Sequence, residues 1–263
     1  MRDIYKKELH KMTWSFSRCT TFKKCPYKFY LIYIEKVSKT QKFYAAYGKF
    51  IHSILEKYFK KEFTEQECLD YYIENFEYEI IEYVKESTRE KMYMAGIEYF
   101  TQLEWMYSDY EILGVEKEVH FKVGKYNFIG YIDVLLRHKI TGEITILDHK
   151  TGEYPLGKKG FVLKNKIEDY ENYKKQIYLY SIAIFNEYGT YPTYLKWNYT
   201  RSIQELILPF ILDEYKDTQE YMLNIITEII KEKKFNPEPN YVNCKMLCDV
   251  ENDCEYNLMG GKD

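Results

Sequence analysis

Residues 115–148 constrain this chain more than any other stretch. VEKEVHFKV at 115–123, YNFIGYIDVLL at 126–136 and EITILD at 143–148 each alternate apolar and polar side chains. Period two is the signature of half-buried strands. The segment 137–143, RHKITGE, is turn-like, with Gly142 available for a positive φ. An antiparallel hairpin folded about residues 140–141 sets Asp133 opposite Asp148. Asp148 and Lys150 then share a face, because residues i and i+2 of a strand point the same way. A surface ion pair satisfies the same pattern and would contribute little to stability.

Helical texture surrounds these strands. Residues 14–36 read as a short helix, a Cys-Pro break and a second helix, with Ser15 or Ser17 as N-cap and Pro26 in the first turn of the second helix. Residues 45–61 carry apolar or small side chains at helical spacing. A long Pro-free region, about 64–107, is also expected to be helical. Residues 168–188 place Tyr173, Ile177, Tyr180, Ile184 and Tyr188 on one stripe. Strands are expected at 193–200 and 203–211, and a last helix at 213–233 stops at FNPEP. The order predicts an α/β fold: a central mixed sheet flanked by helices, with a large helical insertion. One domain over 1–263 is expected: a helical region of about 14–110, a core of about 115–211, and a C-terminal helix with a Cys-rich tail over 213–263.

Composition narrows the function classes. With 46 % hydrophobic residues the chain can bury a sizeable core. Its net charge of −3 supplies no global basic field, so any phosphate-binding surface is a local patch. Lysines 158, 159, 164, 166, 174 and 175 could form one, or an ordinary solvated face. No apolar run is long enough to span a membrane. MRDIYKKELHKM at the N-terminus lacks a signal-peptide core. A soluble cytoplasmic protein is expected, with six cysteines as thiols or metal ligands rather than disulfides.

Two carboxylates at close range repel unless a cation lies between them. Hard oxygen donors suit Mg²⁺ or Mn²⁺, which bind through one or two carboxylates plus water and phosphate oxygens. Such a metal polarises a phosphoryl oxygen and acidifies bound water, and a lysine alongside can orient that water or stabilise the attacked phosphate. Gly130 would let a backbone or ligand approach the strand closely.

Gly130-Tyr131-Ile132-Asp133 followed by Asp148-His149-Lys150 resembles the metal-binding core of the PD-(D/E)XK nuclease superfamily. Gly48-Lys49-Phe50-Ile51-His52 resembles the G-x-x-x-H helix of its RecB-type branch, and Gln176-Ile177-Tyr178-Leu179-Tyr180 resembles that branch's Q-x-x-x-Y helix. Either pair, read alone, could be plain helix packing. The resemblance covers about residues 14–254 and implies a restriction-endonuclease-like core. It implies metal binding by His52, Asp133, Asp148 and the backbone carbonyl of His149. Lys150 would position the attacking water, and Gln176 and Tyr180 would steady the substrate or the lysine. Asp148 stands where many relatives have Glu.

Cys25, in FKKCPYKFY, and Cys244, Cys248 and Cys254, in CKMLCDVENDC, resemble the split four-cysteine iron–sulfur site of AddB-type nucleases and CRISPR-associated RecB-like exonucleases. The spacing C-x₃-C-x₅-C departs from the more familiar C-x₂-C. Four thiolates suit a 4Fe-4S cluster or zinc, and either would clasp the two ends of the chain. Free buried cysteines are the plainer reading, and the one expected for Cys19 and Cys68.

The expected function is a metal-dependent deoxyribonuclease, an exonuclease acting on single-stranded DNA or free ends and leaving a 5′-phosphate. No G-x-x-x-x-G-K-[ST] motor motif is present, so the protein would act alone, as a homo-oligomer, or with a helicase or recombination partner. The alternatives are a non-catalytic nucleic-acid-binding or complex-forming subunit of the same fold, and a zinc-stabilised interaction module.

Overall fold

The computed structural model describes residues 8–9, 11–240 and 243–256. Most of the N-terminal stretch read for a signal peptide lies outside them. Helices α1 (Phe16–Lys24), α2 (Pro26–Tyr30), α3 (Phe43–Phe59), α4 (Glu65–Glu79) and α5 (Glu86–Thr101) precede the strands β1 (Tyr110–Val123), β2 (Tyr126–His138) and β3 (Ile144–Lys150). Helix α6 (Ile167–Tyr188), β4 (Tyr194–Tyr199), β5 (Gln204–Pro209) and α7 (Leu212–Lys231) follow. The strands form one sheet in sequence order. All neighbours pair antiparallel except β3 and β4, which are parallel. A parallel pair needs a long crossover, and α6 lies in it. The result is an α/β fold with a mixed five-stranded sheet flanked by helices, consistent with the restriction-endonuclease-like PD-(D/E)XK fold.

The sheet separates two cores. Ile144 and Ile146 of β3 join a core that includes Phe22 of α1, Ile177 and Ile184 of α6, and Ile225 of α7. Leu147 points the other way, with Ile51 of α3, Phe76 of α4 and Phe100 of α5. Strand β3 is therefore covered on both faces, which suits its ITIL run. The β2–β3 ladder runs from Arg137↔Ile144 to Val134↔Leu147. The next positions in that register are Asp133 and Asp148, as the hairpin count predicts.

Two expectations are revised. The region expected to be helical at about 64–107 is helical, but it is broken in two and ends at Thr101. The two helices are separated at residues 80–85, where Ile80 leaves helical geometry with φ −123°. Arg89 holds this break by donating to Glu77 and to the carbonyls of Ile80 and Glu82, which a helix end leaves without partners. The helices meet closely because Gly96 faces the Tyr72 ring, with which a Cβ there would collide. Strand β1 begins at Tyr110, not at 115, because residues 110–112 pair with 136–138 across a register shift between Ile112 and Gly114.

Near the N-terminus, Ser15 caps α1 by accepting from the Arg18 amide, and Pro26 opens α2. The chain then tightens into a π turn, Leu31–Glu35. Cys19 and Cys68 are fully buried among apolar side chains, as expected of core cysteines. Among the described residues no helix is long and apolar enough to cross a membrane.

Candidate active site

The carboxyl end of β3 collects most of the singled-out side chains. Strand parity turns Asp148 and Lys150 toward α6 and turns His149 toward α3. Lys150 Nζ lies 2.6 Å from Asp148 Oδ2, and both side chains are largely buried. The same ammonium donates to Gln176 Oε1 at 3.2 Å and sits 4.2 Å from the centre of the Tyr173 ring. Burial opposes the Lys150 charge, but Asp148, the Tyr173 hydroxyl and Asp133 outweigh it, so its pKa lies above the ordinary value. Gln176 Nε2 in turn donates to the Tyr180 hydroxyl at 3.2 Å. Asp148, Lys150, Gln176 and Tyr180 thus form one chain of polar contacts. The Tyr180 ring lies on Gly130, where a Cβ would collide with it. The close approach expected at Gly130 is made by this aromatic side chain.

Asp133 is drawn to the strand end from β2. Its Oδ2 accepts from the His149 amide at 2.7 Å. Burial, and after it the negative charge of Asp148, pushes the Asp133 pKa up to about 7. Helix α3 delivers His52. Its Nε2 lies 3.0 Å from the His149 carbonyl, and its Nδ1 lies 3.5 Å from Asp133 Oδ2 and 3.8 Å from Glu116 Oε1. One turn earlier, a Cβ at Gly48 would touch Thr151 Oγ1 at 3.4 Å, so the helix lies close to the strand exit. Burial works to lower the His52 pKa, yet Glu116, Asp133 and Asp148 carry it above the ordinary value.

The His149 ring faces away from this cluster. It is buried beside Phe59, and its Nδ1 accepts from Asn198 at 3.1 Å, while Asn198 also donates to the Tyr99 hydroxyl. Burial, followed by the charges of His52 and Lys150, holds its pKa well below the usual imidazole value, so the ring is neutral. Only the His149 backbone faces the acids. Donors for a hard cation are present: among the described residues, His52, Glu116 and Asp133 offer three ligand atoms within 4.8 Å of one another. The resemblance names His52 and Asp133 but not Glu116. Asp148 stands beside this group with its carboxylate turned to Lys150.

Sequence reasoning missed Glu116, although a signal existed. The β1–β2 turn is Gly124–Lys125, and counting back from it sets Glu116 opposite Asp133, between the pairs Val115↔Val134 and Lys117↔Ile132. Asn198 and Tyr99, which hold the His149 ring, carry no local pattern that would have found them.

The cysteines lie elsewhere. Cys25, between α1 and α2, lines a cavity of about 180 Å³ together with Cys244, Cys248 and Cys254. Its sulfur accepts from the backbone amides of Lys28 and Glu238. Burial raises the Cys248 and Cys254 thiol pKa values. The two ends of the chain also meet through Lys28–Asp249 at 2.7 Å and through Tyr27 donating to Glu255 at 2.9 Å.

The lysines expected to track phosphate are partly engaged. Lys166 pairs with Glu153, Lys174 with Glu171 and Glu214, and Lys175 with Glu171. Lys158, Lys159 and Lys164 are exposed.

With this geometry in view, the relationship is plain. The sequence profile of the PD-(D/E)XK nuclease superfamily matches residues 13–256, and the chain belongs to that superfamily. Its fold is similar to the crystal structure of a "Putative exonuclease" from Eubacterium rectale, with a TM-score of 0.52 and 11 % identity over 96 % of this chain and 91 % of that one. The crystal structure of SSO0001 aligns over 97 % of this chain and 95 % of its own at 16 % identity, with a TM-score of 0.41 that supports no argument. Among curated proteins none matches.

Proposed function

We propose that this chain is a single-domain, divalent-metal-dependent DNA nuclease of the RecB/AddB type, acting as an exonuclease on single strands or free ends. One observation carries the reading: a cation-ready group (His52, Glu116, Asp133) adjoins a buried lysine held by Asp148 and Gln176 at one strand end. Nucleases of this superfamily generally use divalent metals, and the donor set fits Mg²⁺ or Mn²⁺. His52, Asp133, Asp148 and the His149 carbonyl would hold the ion. When bound, it polarises the scissile phosphate and acidifies a water. Lys150, kept protonated, orients that water and balances negative charge gathering on the phosphorus oxygens. Gln176 fixes the ammonium through its carbonyl and is itself fixed by Tyr180. The likeness to a protein named as an exonuclease supports action on ends, and a helicase, recombination partner or second copy would extend its reach.

The test is digestion of end-labelled single- and double-stranded DNA with Mg²⁺ or Mn²⁺, and with chelator. Metal-dependent shortening from an end is the expected result. Tight DNA binding without cleavage under every metal would instead favour a non-catalytic subunit.

The four cysteines belong to the same proposal, as ligands of an iron–sulfur cluster that ties the chain ends together. Their convergence on one cavity and the amide donors to Cys25 support this. Anaerobically purified protein is expected to be brown, with broad absorption near the violet edge of the visible, and Cys25→Ser is expected to lose both colour and thermal stability. A colourless wild type carrying stoichiometric zinc would reject the cluster.

A further inference from the structure

We infer that the short hairpin at 155–163 is an arm that holds DNA: Phe161 stacks on an open base face, and Lys158, Lys159 and Lys164 hold phosphates beside it. The inference rests on the nuclease reading above and names the feature by which the substrate is gripped. The arm follows β3 closely, beginning five residues after Lys150. Its two sides meet at the antiparallel bridge Leu156↔Val162, and the Leu163 amide donates to the Pro155 carbonyl at 2.9 Å. The Gly160 amide donates to the Gly157 carbonyl at 2.8 Å, closing a turn over Lys158 and Lys159, and the Gly157 amide donates to the Phe161 carbonyl. Gly160 has φ +77°, as the left-handed last residue of a three-residue hairpin loop requires. The sequence GKKGF therefore builds a defined tip.

The base of the arm is fixed. Pro155 is buried, the Tyr154 amide donates to Ser202 Oγ at 3.1 Å, and Glu153 pairs with Lys166 at 2.9 Å and with Arg201 at 3.6 Å. The tip is open. Phe161 is 76 % exposed, and Leu163, on the same side of the arm, is 42 % exposed. A ring held in water forgoes the gain of burial, and the anchored turn keeps it there. Residues 154–167 carry four lysines and no carboxylate. Lys166 is tied to Glu153, while Lys158, Lys159 and Lys164 are exposed. An exposed ring among cations fits an unpaired strand, whose bases stack on aromatic faces while lysines track its backbone. A single strand or a duplex end offers a free base face, and the interior of a duplex does not. Lys158 is eight residues beyond Lys150, so at most about 29 Å separates them, the length of about eight nucleotides at roughly 3.4 Å each. A short oligonucleotide spans both.

The test is DNA binding by the full-length protein, in chelator and again in Ca²⁺. The probes are a single strand of about 20 nucleotides and a blunt duplex, each with 2-aminopurine near one end. Relaxed closed-circular duplex is the competitor without ends. Phe161→Ala is expected to weaken binding of at least one probe by roughly tenfold or more and to remove its 2-aminopurine fluorescence change. Its melting temperature should match wild type, because the ring is exposed. Phe161→Trp should bind at least as well as wild type, and Phe161→Leu, apolar without a flat face, should behave as Phe161→Ala. Replacing Lys158 and Lys159 together by Ala should flatten the slope of log affinity against log salt by about 1.4 on the single strand, at roughly 0.7 per phosphate contact. Tyr83→Ala, which removes a ring 93 % exposed at the α4–α5 break, should change nothing. The probe that loses affinity identifies the base face gripped. Full affinity of Phe161→Ala or Phe161→Leu for both probes, an equal loss on the closed circle, or an unaltered salt slope in the lysine variant would overturn this inference alone. Absence of DNA binding by the wild type in both conditions would overturn it together with the nuclease reading.

Discussion

Lys150→Ala is expected to bind Mn²⁺ at least as tightly as the wild type and to cleave DNA at least about a hundredfold more slowly, the scale of losing one preorganised charge from a transition state. The two readouts separate because Lys150 competes with a metal for the same anions. Its ammonium neutralises Asp148 at 2.6 Å and adds positive charge near Asp133. Removing it leaves two carboxylates facing one another, which favours cation uptake. The same change should destabilise the metal-free protein, since a buried carboxylate stripped of its partner costs about 3–5 kcal/mol. Saturating Mn²⁺ should restore most of that. Single-turnover cleavage at saturating Mn²⁺, beside melts with and without metal, measures all three effects. Undiminished cleavage by Lys150→Ala would reduce Asp148 and Lys150 to a structural ion pair.

Asp133→Asn is expected to stabilise the metal-free protein at pH 8 and to do much less at pH 5. The Asp133 pKa rises from an ordinary 3.8 to about 7, through burial first and the Asp148 charge second. Between those values the folded state retains a proton that the unfolded chain has lost. Stability therefore falls as pH climbs from about 4 through 7. A shift of this size corresponds to the order of 2–4 kcal/mol. His52, whose pKa is also raised, contributes with the same sign. His149 opposes it below pH 6.5, because its folded form resists protonation. The His149 contribution is common to both proteins, so the difference between wild type and Asp133→Asn reports the acid together with the part of the His52 shift that it causes. Urea melts in chelator at pH 5 and pH 8 supply the four numbers. An Asn substitution that is neutral or destabilising at pH 8 would show that the acid is not strained in the absence of metal. Adding Mn²⁺ should reverse the ranking at pH 8, because the ion stabilises only the carboxylate.

Much of the architecture was legible in the chain. Two short turns, at Gly124–Lys125 and near 140–141, leave antiparallel strands little freedom of register. Asp133 beside Asp148, and Lys150 on the Asp148 face, follow from counting. The Gln176–Tyr180 contact is equally local, because one helical turn separates the two residues.

What lies between elements was not legible. Nothing near His52 in sequence says that α3 packs on β3 with its imidazole against the His149 carbonyl. Two buried faces meeting through residues such as Ile51 and Leu147 bring it there. Nothing in the local pattern announces the break between α4 and α5, which Arg89, nine residues after Ile80, supports only once the chain has turned back on itself. Glu116 could be set opposite Asp133 by counting, but its left-handed backbone and its approach to His52 appear only when helix and sheet are assembled. The meeting of Cys25 with a tail more than two hundred residues away is of the same kind. Hydrogen-bond ladders and side-chain parity act over a few residues and can be read along the chain. Packing joins surfaces contributed by distant segments, and only the folded structure decides which of them touch.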